Sequence, residues 1–124
     1  MTKAYFEIIR AGINTTIQDE GRLHQSHIGI TTGGAIDKRN FKLSNRIVDN
    51  ELNEAVLEFA YQGPSLILKN GKINFAITGD VFFNIVRNNS KIEEGRCYQN
   101  YILEDGEQID IISTKKSVYG YFAI

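Results

Sequence analysis

The apolar residues of this chain come in short runs, and glycine stands between most of those runs. No run approaches the roughly 20 residues that a membrane-spanning helix needs, and one segment alone keeps a helical period. Short β-branched and aromatic runs punctuated by turn residues are the pattern of an all-β sandwich or barrel. The predicted strands cover residues 5–10, 15–18, 55–61, 65–68, 73–78, 81–86, 98–103, 108–112 and 118–124. Phe75 and Ile77 alternate with Asn74, Ala76 and Thr78, the period of a half-buried strand. Asn70-Gly71 predicts a type I′ hairpin, whose two central residues both need positive φ. Glu104-Asp105-Gly106-Glu107 predicts a second hairpin.

The exception is residues 36–48. At about 100° per residue, Phe41, Leu43, Ser44, Ile47 and Val48 share one face, and Arg39, Lys42, Arg46 and Asp49 the other. Asp37 suits the N-cap, where its carboxylate accepts from the free amides of the first turn. Ile36 and Phe41 stand at the two positions of a hydrophobic staple, and Asn50 suits the left-handed residue that ends a helix. The expected architecture is mainly β with one helix, closed into a small barrel.

Composition bounds the partners. The 124 residues fit a single domain spanning 1–124 with one core. A hydrophobic share of 42% and a charged share of 23% exclude wholesale disorder. A net charge of −1 gives no reason to expect nucleic acid or an anionic membrane. Glu7 and Arg10 interrupt any signal-like start. The lone Cys97 cannot form an internal disulfide, so a reducing, cytoplasmic setting is the simplest expectation.

The densest polar cluster is Thr15-Thr16-Ile17-Gln18-Asp19-Glu20-Gly21-Arg22. Arg22 can fork onto a carboxylate or phosphate, and Asp19 can orient it or accept a proton. Taken alone, the cluster reads more simply as a surface turn in which Asp19 pairs with Arg22. Thr31-Thr32-Gly33-Gly34-Ala35-Ile36-Asp37 runs a glycine-rich loop into a helix start, where free amides favour an anion. A purely structural turn at Gly33-Gly34 explains the same residues equally well. His24 and His27 lack a third ligand, so no metal site is visible. Cys97 reads as a small buried apolar residue, Asn45 as a loop tie at the edge of the helix face, and Glu58 as a strand charge facing solvent or the barrel mouth. Tyr98, Tyr101, Tyr119 and Tyr121 read as strand packing.

Taken in order, these pieces resemble a known family. The series is Thr15-Thr16-Ile17-Gln18-Asp19-Glu20-Gly21-Arg22, Gly33-Gly34-Ala35-Ile36-Asp37, Ser44-Asn45-Arg46-Ile47-Val48-Asp49-Asn50, Leu57-Glu58, Gly63-Pro64 and Ile77-Thr78-Gly79. It is similar to the front part of the family that joins biotin-dependent carboxyltransferases with the C component of 5-oxoprolinase, also labelled allophanate hydrolase subunit 2. Each motif is weak, but their order over the whole chain is specific. The resemblance implies a cyclophilin-like closed β-barrel. It implies partners: a related, kinase-inhibitor-like second subunit (the B component) and a third (the A component). In that complex ATP drives opening of the 5-oxoproline ring to glutamate. Relatives act instead as the carboxyltransferase half of urea carboxylase, with biotin carried on a partner protein.

On the family's pattern, Asp19 and Arg22 are the catalytic candidates, with Arg22 stabilising a developing oxyanion. Thr16, Gln18, Gly33, Gly34, Asn45, Glu58 and Thr78 are the candidates for binding a small amide substrate or an anion. Departures stand at Leu23-His24, Ile36, Ser44, Asp49 and Asp80, and the terminal Tyr121-Phe122-Ala123-Ile124 stops where the family continues into two glycines. Three expectations follow: an enzyme component that works only with partners, a binding module without chemistry, or a fragment of a split gene.

Overall fold

The structure, a computed structural model, describes residues 3–12, 15–18, 35–52, 54–115 and 118–124. In chain order these form β1 (Tyr5–Arg10), β2 (Thr16–Gln18), α1 (Lys38–Ile47), β3 (Val56–Ala60), β4 (Ser65–Lys69), β5 (Ile73–Thr78), β6 (Val81–Val86), β7 (Ile92–Glu94), β8 (Tyr101–Leu103), β9 (Gln108–Thr114) and β10 (Tyr119–Ala123). The strand periods place β1, β5 and β6 at the expected residues. The three-residue β7 has no counterpart among the sequence expectations.

The strands build two five-stranded sheets, β1-β4-β9-β6-β7 and β2-β3-β10-β5-β8, antiparallel throughout. Mainly β with one helix is therefore right, but the closed barrel is not. Among the described residues the edge strands β1 and β7 of one sheet do not pair with β2 and β8 of the other. Gly12, at φ 80, turns the chain between β1 and β2, and Tyr98, at φ 63, turns it between β7 and β8.

The two expected hairpins also fail. β4 is already flanked by β1 and β9, so β5 finds no free edge on it and crosses to the second sheet. Asn70 alone of the Asn70-Gly71 pair is left-handed, at φ 64. In the same way β9 is flanked by β4 and β6, which sends β8 to β5 across the Glu104–Glu107 turn.

The main core lies between the sheets. Leu66, Leu68, Phe83, Ile85, Ile109 and Ile111 of the first sheet meet Phe59, Phe75, Ile77, Leu103 and Phe122 of the second. Phe75 stacks on Tyr101 at 5.5 Å and meets Phe83 edge-on at 6.3 Å. Each such buried side chain contributes about 1.5–3 kcal/mol. Gly120 in β10 is needed for this packing, since a Cβ there would lie 2.5 Å from the Phe59 ring.

Helix α1 covers the outer face of the second sheet. Phe41 and Val48 pack with Val56, Ala76, Tyr121 and Ala123 in a second cluster. Asp37 is the N-cap, as predicted, and its carboxylate accepts the Asn40 amide at 3.1 Å. The staple is not made, because Ile36 stays exposed. The left-handed terminal residue is Asp49, at φ 64, rather than Asn50, whose side chain instead bonds Asn45 and the Ile124 carbonyl. Among the described residues no helix is long and apolar enough to cross a membrane.

Candidate functional site

Antiparallel register brings several sequence candidates into one row. On the second sheet Thr16 of β2 pairs with Glu58 of β3, Glu58 with Tyr121 of β10, and Tyr121 with Thr78 of β5. Residues opposed in this way share a face, here the face that α1 covers. Gln18 lies on the same face, two residues along β2, and its amide donates to the Thr16 hydroxyl at 3.0 Å.

Glu58 departs from its expectation. It is 5% exposed rather than facing solvent. Its Oε2 accepts from the Tyr121 hydroxyl at 2.6 Å and from the Ile36 amide at 2.8 Å. The Tyr121 oxygen in turn accepts the Asp37 amide at 2.8 Å. Burial, and then the bond to Glu58, push the Tyr121 phenol well above its ordinary pKa.

A second set of bonds ties the helix start to the β5–β6 turn. The Thr78 hydroxyl donates to the Asn40 carbonyl at 2.7 Å. The Asn40 side chain donates to the Asp37 carboxylate at 2.7 Å and accepts from the Tyr98 hydroxyl at 2.7 Å. The Gly79 amide donates to the Tyr98 oxygen at 3.2 Å. Tyr98, half-exposed and in a left-handed conformation, is not strand packing. Such a backbone in a bulky residue persists only where its surroundings hold it.

Asn45 acts as the loop tie that its sequence position suggests. Fully buried, it donates to the Glu54 carbonyl at 2.8 Å and the Leu52 carbonyl at 3.3 Å. Cys97 is only half-buried; its thiol donates to the Val81 carbonyl, and burial raises its pKa. Asp19, Arg22, Gly33 and Gly34 lie outside the described residues, as do His24 and His27.

Among the described residues no group of three or more His, Cys, Asp or Glu comes together as a metal site. At the start of α1 the Asp37 carboxylate takes the Asn40 amide. The described part of the site offers neutral donors and acceptors beside the Asp37 carboxylate. Thr16, Gln18, Asn40 and Tyr98 are at least partly accessible, while Glu58, Thr78 and Tyr121 are buried behind them. Sequence reasoning missed Asn40, Tyr98 and Tyr121 as members. The signal for Tyr121 is its alternation within 118–124, but its partner Glu58 is 63 residues away.

Known proteins are similar to this chain in fold and sequence. Urea amidolyase of Lachancea kluyveri is 30% identical over 120 residues, 96% of this chain and 6% of that protein. The C component of Haemophilus influenzae 5-oxoprolinase is 26% identical over 118 residues, 95% of this chain and 37% of that protein. The crystal structure of K. lactis urea amidolyase superposes with a TM-score of 0.86 at 26% identity, over 96% of this chain and 7% of that one. The chain thus spans well under half the length of the relatives it matches. The family profile described as carboxyltransferase domain, subdomain A and B, matches residues 28–124. With most of its length inside that match, the chain belongs to the carboxyltransferase-domain family, subdomains A and B.

Proposed function

We propose that this chain serves a 5-oxoprolinase-type amide hydrolase, opening 5-oxoproline to glutamate at the expense of ATP, in a cytoplasmic complex with partners that resemble the A and B components of that enzyme. The observation that carries this reading is the similarity to a 5-oxoprolinase C component over 95% of the chain. ATP acts through the complex in this reading. Arg22 stabilises the oxyanion that forms on the ring carbonyl, and Asp19 orients Arg22. Thr16 and Gln18, on the strand leading to Asp19, contact the amide, and the Gly33 and Gly34 amides receive the substrate carboxylate. Asn45, Glu58 and Thr78 hold the frame behind them.

One observation favours a second reading. Urea amidolyase is 30% identical over 96% of this chain, a span as long as the 5-oxoprolinase match, which points to a carboxyltransferase step from biotin on a partner protein to an amide nitrogen. A binding module without chemistry of its own is the remaining alternative.

The test is reconstitution with the partner proteins, measuring ADP and glutamate released from 5-oxoproline. Activity should depend on this chain, and Arg22→Ala should lower kcat about 100-fold, the weight of one oxyanion donor. Full turnover without the chain overturns the enzyme-component reading, and an unchanged Arg22→Ala rate overturns the role of Arg22. Carboxyl transfer from carboxybiotin to urea, without 5-oxoproline turnover, selects the second reading.

A further inference from the structure

We propose that Glu58 and Tyr121 are positioning residues, whose buried pair fixes the backbone of residues 36 and 37 and so sets where the chain enters the site. The proposal deepens the function just given and rests on it for the site's substrate, but its first test does not depend on it.

Tyr121 has no solvent exposure and Glu58 has 5%. A phenylalanine would fill the Tyr121 position with the same ring, and an apolar residue would suit β3 better than a carboxylate. Burying a hydroxyl and a carboxylate is costly unless each is bonded. Both are bonded, and two of the three bonds reach neighbouring main-chain amides. The Ile36 amide donates to Glu58 Oε2 at 2.8 Å, and the Asp37 amide to the Tyr121 oxygen at 2.8 Å. The third, between the two side chains at 2.6 Å, couples them.

The clamp does not serve the sheet, because β3 and β10 already pair in register from Tyr119–Ala60 to Phe122–Leu57. It does not replace the helix cap, which Asp37 provides with its own carboxylate. What it adds is a fixed point for the two residues before α1. Asp37 then bonds the Asn40 side chain, which bonds Tyr98 at the half-exposed rim. Strands β3 and β10 thus position the polar rim through two consecutive amides, without either buried side chain touching a ligand.

Amide hydrogen exchange in the full chain tests the clamp. Tyr121→Phe should accelerate exchange at Asp37 roughly tenfold, the weight of one buried hydrogen bond, and leave the core amides of Phe59 and Ile77 protected. Glu58→Ala should open both Ile36 and Asp37, and Glu58→Gln, which keeps an acceptor oxygen, should restore most of that protection. Equal loosening of the core amides, or no change at Asp37, overturns the proposal. In the reconstituted complex Tyr121→Phe should raise KM for 5-oxoproline with kcat nearly constant, the mark of lost uniform binding. An open Asp37 amide with unchanged KM also overturns the positioning role. If the unaltered complex does not turn over 5-oxoproline, the proposed function fails, and the exchange pattern alone then decides the clamp.

Discussion

The two margins where the sheets fail to close are built in opposite ways. At the β7/β8 margin a guanidinium laces the sheets together. Arg87 donates to Glu93 on β7, to Glu107 before β9, and to the Ile102 carbonyl on β8 of the other sheet. The Gly95 amide bonds the Phe83 carbonyl, and the Tyr98 amide the Ile77 carbonyl, so the chain between β7 and β8 steps from sheet to sheet. At the β1/β2 margin the polar side chain of Arg10 turns to its own sheet, bonding Asp110 and the Ile111 carbonyl. Among the described residues the gap is left to apolar side chains, with grooves of about 180 and 210 Å³ that share Ile17 and Leu57 in their walls. One margin is specified by directional bonds. The other is held by apolar contact, which fixes no partner and no angle.

The largest effect should come from cutting the laced margin. Glu107 is 4% exposed, and its carboxylate accepts from the Glu104 amide, the Asn88 amide and the Arg87 guanidinium. Removing the cation leaves a buried charge uncompensated. Arg87→Ala should therefore cost about 3 kcal/mol in denaturant unfolding, and the loss should exceed that of any single substitution among the exposed residues of the β1/β2 margin. A loss no larger than a surface substitution would mean that the two margins do not differ in kind.

Acid should loosen the same margin. Burial alone would raise the Glu107 carboxyl, but the amides of Glu104 and Asn88 and the Arg87 guanidinium outweigh it and hold its pKa below the ordinary value. Because the folded pKa lies below the unfolded one, the stabilisation is fully present above the unfolded value, about 4.3. It is lost as pH falls through the folded value. Glu107→Gln should lose about 1–2 kcal/mol at neutral pH and show a shallower decline in acid than the parent chain. Urea midpoints measured from pH 7 downward test this, and parallel curves for the two proteins would remove Glu107 from the account.

The contrast also marks what the sequence can show. Strand positions are legible because Phe75 and Ile77 alternate with the smaller or polar Asn74, Ala76 and Thr78, and the helix because Asp37 announces its start. Pairing is not legible. Asn70-Gly71 looks like a hairpin locally, but β4 has both edges occupied by strands distant in sequence. Glu58 looks like a solvent charge because alternation gives two faces and not what covers them; α1 and residues 35–37 cover this one. The laced margin is invisible for the same reason, since Arg87 and Glu107 are ordinary charges until β6 and β9 bring them together.

The smallest change in stability, and the most telling in behaviour, belongs to the β1/β2 margin. Ile17 is 74% exposed and Ile8 64%, and both lie on edge strands whose outer backbone groups no described strand pairs. An exposed apolar edge strand is a template for a second chain, and natural proteins guard such edges with lysine. The chain should therefore self-associate, and Ile17→Lys should shift it toward monomer in sedimentation. The stability of the fold should change by no more than about 0.5 kcal/mol, because the side chain is already in water. Arg87→Ala should do the reverse, lowering the unfolding midpoint while leaving the association at the apolar margin intact. If Ile17→Lys lowers the midpoint as well, the open margin contributes to the fold itself. If the parent chain stays monomeric at high concentration, apolar exposure at this edge is tolerated.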